Sequence, residues 1–197
     1  MGEGNTPVTR GRRAAGLVLA GLVTMTAVAC SSNSSPTPVG TTGGANSSPT
    51  SSTSPSLVSP ADSARQQAIA VYAGMWQAMA KAGETSDWQS PLLAQYTTGD
   101  ALGVINRSLY TDHLNGVVTK GTPKINPQVS TVDPQGNPTT VMISDCGDDS
   151  GWLKYKTDGQ LLNNEPGGRR AITAEVKKQS DGSWRVTRFA VEAVGTC

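Results

Sequence analysis

Between positions 31 and 59 the chain reads SSNSSPTPVGTTGGANSSPTSSTSPSLVS. A tract of that composition buries too little apolar surface to offset the entropy of ordering itself. Proline stiffens it and glycine loosens it, so it serves as a semi-flexible spacer. The folding unit is therefore residues 60–197 of a 197-residue chain, enough for one modest core. Charge divides at the same place. The chain carries 16 Lys and Arg against 15 Asp and Glu, a formal net of +1. Arg10, Arg12, Arg13 and Glu3 all precede Cys30, and without them 13 basic groups face 14 acidic ones, a net of −1. A nucleic-acid binder needs an excess of Lys and Arg focused on one face, so that class is excluded.

The leader has its own logic. A polar stretch ends in Arg10, Arg12 and Arg13, and the apolar run AAGLVLAGLVTMTAVA follows over residues 14–29. A basic start, a short apolar stretch and small residues at its end describe a secretory signal peptide. As a membrane span the run is short, and Gly16 and Gly21 weaken it further. Its end, Ala27-Val28-Ala29-Cys30, resembles the lipobox of bacterial lipoproteins, with alanine at position 27 where leucine is usual. The resemblance implies a diacylglyceryl thioether on Cys30 and cleavage ahead of it. Acyl chains such as palmitate then anchor the protein on the outer face of the cytoplasmic membrane. Three segments are expected: signal peptide 1–29, lipidated Cys30 and linker 30–59, and a folded domain 60–197. Arg12-Arg13 leaves both general and twin-arginine export open.

The chain has three cysteines. With Cys30 explained as the lipid acceptor, Cys146 and Cys197 remain, and outside the cytoplasm such a pair is oxidised. Closing a loop of about fifty residues stabilises by roughly 4 kcal/mol on the chain-entropy model.

Within the domain, Ser59-Pro60-Ala61-Asp62 has the form of a helix start: a capping serine, proline at the first position and an acid in the first turn. Ala68, Tyr72, Met75, Trp76 and Met79 then recur at helical spacing, and Gly83 supplies a stop. Residues 91–96 form a short helical turn. Residues 100–114 form another helix, with Ala101, Leu102, Ile105 and Leu109 inward and Gly116 ending it. Beyond Gly116 the period falls to two. Strands are expected over 124–133, 139–146, 152–156, 171–178 and 183–194, with turns at 134–138 and 147–151 and a loop over 157–170. Gln179-Ser180-Asp181-Gly182 marks a hairpin. Helices first and an antiparallel meander after them make an α+β domain, with N-terminal helices packed on a curved antiparallel sheet.

That order resembles the nuclear transport factor 2-like (ketosteroid-isomerase-like) superfamily, and within it the domains of actinobacterial lipoproteins. The matching features are the Tyr72 and Trp76 helix face, Leu93-Ala94-Gln95-Tyr96 leading to Gly99-Asp100-Ala101-Leu102, and Gly116 with Gly121. Asp145-Cys146, Asp149-Ser150, Trp152 and Trp184-Arg185-Val186 complete them. The resemblance covers about residues 62–197 and implies a cone-shaped fold with a pocket between sheet and helices. It implies no activity, since one fold hosts many functions. Tyr72, Trp76, Trp152, Tyr155 and Phe189 are the aromatics it offers as pocket lining, although rings at such spacings also simply pack.

Reactive chemistry is sparse. His113 is the only histidine and sits at an expected helix end, where an imidazole caps carbonyls and meets the helix dipole. Asp145, Asp148 and Asp149 are expected at one turn, solvated and ionised, without the spacing of a calcium loop. Gly167-Gly168-Arg169-Arg170 is expected as a solvated loop, since a phosphate cradle needs a strand before it and a helix after. No catalytic residue, metal site or cofactor is expected. The leading reading is a membrane-anchored envelope protein whose domain is a non-catalytic accessory or interaction module for an envelope partner. That reading expects a filled cone. A carrier of a small apolar ligand would instead need a large apolar pocket. An isomerase or dehydratase would need His113 or an acid pointing into it.

Overall fold

A computed structural model describes residues 58–164 and 167–197. The expectations for the signal peptide, for Cys30 and for nearly all of the linker lie outside the described residues. No helix among the described residues is long and apolar enough to cross a membrane.

Helix α1 spans Pro60–Gly83. Ser59 Oγ accepts from the backbone N–H of Asp62 at 3.1 Å, meeting one of the four donors that every helix start leaves open. Ala61, Ala64, Ala68, Tyr72, Met75 and Trp76 form its buried face. Helix α2, Pro91–Tyr96, lies against it. Gly74 permits this contact, because a Cβ there would stand 2.3 Å from the Tyr96 ring. Helix α3 spans Gly99–Leu114 and buries Ala101, Ile105 and Leu109. The corner between α2 and α3 is tied to the sheet where the Thr98 N–H donates to the carbonyl of Val186 at 3.0 Å.

Six strands follow: β1 Val117–Lys120, β2 Gln128–Asp133, β3 Thr140–Asp148, β4 Leu153–Lys156, β5 Arg169–Lys178 and β6 Trp184–Val191. Strands β2-β3-β5-β6 make one antiparallel sheet, while β1 and β4 pair separately. The domain is thus α+β, helices followed by antiparallel strands. Its core joins Tyr72, Met75 and Trp76 of α1 to Val141, Ile143, Val176 and Val186 of the larger sheet. Burying side chains of this size contributes about 1.5–3 kcal/mol each.

Several sequence expectations are corrected here. The meander is two sheets, and β1 lies in a stretch where the sequence predicts no strand. The strand expected over 124–133 begins only at Gln128, because Pro127 cannot donate to a ladder. Lys124 makes just an isolated bridge to Asp148. Strand β3 runs two residues past Cys146, pairing Gly147 with Arg170 and Asp148 with Arg169, so the turn expected from Gly147 starts later. The hairpin at 179–182 is present, with Gly182 at φ 83° and the Gln179 N–H donating to the Ser183 carbonyl at 2.7 Å.

On β5, Glu175 gathers Thr187 Oγ1 at 2.6 Å, Arg188 Nη2 at 2.9 Å and Lys177 Nζ at 3.1 Å. The Arg188 guanidinium foremost, then the Thr187 hydroxyl and Lys177, holds this carboxyl down at about 2. A folded-state value below the ordinary 4.5 means the stabilisation is fully present above pH 4.5. It is lost as pH falls toward and through 2. Urea midpoints of the wild type and of Glu175→Gln are therefore expected to differ most above pH 4.5 and to converge on acidification. A difference that stays constant from pH 6 to pH 2 would count against this assignment.

Candidate functional site

Two adjoining cavities lie where α1 and α3 face the strands. The larger, about 630 Å³, is bounded by Leu109 and Asp112 of α3, Thr119 of β1, Leu153 of β4, and Leu162 and Val194. The smaller, about 300 Å³, is bounded by Trp76, Val104, Pro123, Ile172, Phe189 and Val191. Met79, Ile105, Ser108, Asp149, Trp152, Lys154 and Arg170 border both. Together they form a two-lobed cleft of the size that small-molecule sites occupy. The cone is open, where the accessory reading expects it filled.

The cleft wall is built around Trp76. Its ring meets Trp152 at 5.9 Å and Phe189 at 6.0 Å, both edge to face. Such pairs contribute about 0.5–1.5 kcal/mol beyond their buried area, so the wall is pre-formed. The indole N–H of Trp152 is buried with no hydrogen-bond partner among the described residues. Two ion pairs stand at the cleft. Lys154 Nζ lies 2.7 Å from Asp112 Oδ1, and Arg170 Nε lies 2.8 Å from Asp149 Oδ2. Asp149 Oδ1 also accepts from the Gly168 N–H at 2.6 Å. The glycine-arginine stretch, expected as a solvated loop, therefore does hold an anion: the chain's own Asp149 carboxylate.

The structure divides the aromatics expected as lining. Trp76, Trp152 and Phe189 border the smaller cavity. Tyr72 does not: it is fully buried behind the cleft, and its hydroxyl donates to Asp145 Oδ2 at 2.9 Å. Tyr155 does not either. It lies beneath Lys120, whose Nζ is 4.5 Å from the ring centroid, and borders neither cavity.

The acids also separate. Asp145, expected in a solvated turn, is 7% exposed inside β3, where its second oxygen accepts from the Asn126 N–H at 2.8 Å. Burial holds the Tyr72 phenol well above its ordinary range, and the Asp145 carboxylate adds to that effect. Asp148 borders the smaller cavity, and hydrogen bonds from Ser150 hold it below the ordinary carboxylate range. Asp149 is held by Arg170 and Gly168. His113 is exposed in the last turn of α3 and borders neither cavity. Among the described residues no cluster of three or more His, Cys, Asp or Glu is arranged to hold a metal ion. Cys146 and Cys197 are joined, with Cα atoms 5.9 Å apart.

Sequence reasoning missed Asp112, Lys154, Asp149 and Arg170 as cleft residues. Their one signal is opposite charge at positions far apart in the chain, which means nothing until the elements are packed.

No family model matches the chain, and no curated protein matches it. Solved structures similar to it include the intermembrane space region of the chloroplast protein ARC6, 14% identical with a TM-score of 0.48, covering 66% of this chain and 96% of that one. A ketosteroid isomerase-like protein from Erwinia carotovora atroseptica is 12% identical with a TM-score of 0.38, covering 64% and 93%. A protein of unknown function with a cystatin-like fold from Nostoc punctiforme is 12% identical with a TM-score of 0.37, covering 66% and 91%.

Proposed function

We propose that this chain is a lipid-anchored protein of the bacterial cell envelope whose extracytoplasmic domain, of the nuclear transport factor 2-like type, binds a small, largely apolar and uncharged molecule without transforming it. The observation that carries the reading is the open cleft of about 630 Å³ continued by one of about 300 Å³, walled by Trp76, Trp152, Phe189, Met79 and Ile105. Asp112 is matched by Lys154 and Asp149 by Arg170, so neither cation of the cleft is left free for an anionic ligand. His113, the chain's one histidine, stands outside the cleft. That placement supports the non-catalytic reading.

A neutral solvatochromic dye tests this in the full chain carrying Cys30→Ala, which removes acyl chains that would take up dye themselves. Saturable binding with one dye per chain is the expected result. Ser108 is exposed and borders both lobes, so Ser108→Trp fills their shared mouth at little cost to folding. That variant is expected to weaken binding by about tenfold or more, equivalent to roughly 1.4 kcal/mol, with an unchanged circular dichroism spectrum. Dye uptake that Ser108→Trp leaves untouched would remove the cleft from consideration.

A further inference from the structure

We propose that the Cys146–Cys197 disulfide is an exchangeable latch on the cleft, opened by low-molecular-weight thiols that attack Cys197 and expel the Cys146 thiolate. As regulation of the cleft, this rests on the ligand-binding reading above; the exchange chemistry itself does not.

Three observations carry it. First, the two sulfurs differ in surroundings. Arg169 donates to Cys146 Sγ from Nε at 3.2 Å and from Nη2 at 3.1 Å. Lys124 and Asp148 border the same shallow depression as Cys146 and Arg169. A guanidinium there stabilises a thiolate, and the sulfur with the more stable thiolate is the better leaving group. Second, Cys197 is an exposed residue while Cys146 is half-buried, which favours attack at Cys197. Third, the segment that the disulfide holds is a wall of the cleft. Beyond β6, Val194 borders the larger cavity and packs so closely on Gly168 that a Cβ there would stand 2.7 Å from Val194 Cγ1. Apart from the disulfide, this segment is held by the Glu192 N–H on the Ala171 carbonyl at 2.9 Å, Arg170 Nη1 on the Glu192 carbonyl at 3.3 Å, the Gly195 N–H on the Arg169 carbonyl at 2.7 Å and the Ala171 N–H on Thr196 Oγ1 at 2.9 Å. Residues 191–197 are all exposed. Exposed hydrogen bonds of this kind leave a segment free to open locally once its covalent tie is cut.

The exchange balances without any further reagent. A thiolate attacks Cys197 Sγ, a mixed disulfide forms, the Cys146–Cys197 bond breaks, and its electron pair goes to Cys146 Sγ beside Arg169. A second thiolate attacks the outer sulfur of the mixed disulfide. Two external thiols become one disulfide, and both cysteines are reduced.

The full chain carrying Cys30→Ala is treated with glutathione, quenched with acid, and mapped by mass spectrometry. The adduct is expected on Cys197, and Arg169→Ala is expected to slow opening about threefold. An adduct mainly on Cys146, or opening of Arg169→Ala as fast as the wild type, overturns the exchange mechanism. The second readout is release of the neutral dye. Reduced protein, and Cys197→Ser without reductant, are expected to release it about tenfold faster than the oxidised protein while keeping the same far-ultraviolet dichroism. Equal release rates overturn the latch. Should Cys197→Ser fail to fold, Val194→Ala with the disulfide intact is expected to speed release in the same direction, and an unchanged rate there overturns it equally. If the oxidised protein takes up no dye, the ligand-binding reading fails and the latch with it. The glutathione mapping still decides the chemistry at the disulfide.

Discussion

Asp145→Ala is expected to lower the stability of the domain by about 3 kcal/mol, since it leaves one buried donor without an acceptor, at about 1–3 kcal/mol, and removes a second, half-buried hydrogen bond worth about 1 kcal/mol. The donors are the hydroxyl of Tyr72, which is fully buried, and the backbone N–H of Asn126. The first lies on α1 and the second on the approach to β2, so one carboxylate joins helix, strand and connecting segment. Against the 5–15 kcal/mol that a typical domain has in total, the loss is severe. Asp145→Asn retains one acceptor and is expected to cost about 1 kcal/mol, the worth of a single hydrogen bond. Tyr72→Phe in the Asp145→Ala background is expected to add little, because the donor it removes is already unmet. Urea denaturation of the four proteins measures all of this. A midpoint for Asp145→Ala within error of the wild type would mean that water reaches the pair and the buried network is not a tie.

Cys30→Ala is expected to abolish incorporation of labelled fatty acid and to move the protein from the membrane fraction to the soluble one. Each buried methylene contributes about 0.8 kcal/mol, so two palmitate-length chains amount to on the order of 20 kcal/mol of partitioning. No other feature proposed for this chain offers an anchor of that size. Equal labelling of mutant and wild type would exclude Cys30 as the acceptor. Continued membrane association without label would point to an uncleaved leader.

What could be read from the residues alone was what local chemistry decides. Ser59-Pro60 and Pro91 mark helix starts because capping and the missing proline N–H act over a single turn. Gln179-Ser180-Asp181-Gly182 marks a hairpin because it supplies the positive φ that the turn requires. The pairing of Cys146 with Cys197 followed from counting, with Cys30 set aside as the expected lipid acceptor. The apolar faces of α1 and α3 followed from their period, and with them most of the core.

Partners distant in sequence decided the rest. Tyr72 and Trp76 share one helix face at i and i+4, so no periodicity separates them. Only β3 beneath α1 sends the first to Asp145 and leaves the second at the cleft. Asp145-Cys146-Gly147-Asp148-Asp149 has the composition of a turn, yet pairing with β5 draws it into a strand as far as Asp148. That buries one acid, leaves Asp148 at the edge of the smaller cavity and turns Asp149 toward Arg170. The anion held by Gly168 and Arg170 is likewise supplied by another loop. Burial and pairing depend on what packs opposite, and in this domain the opposite partner of nearly every cleft residue lies tens of positions away.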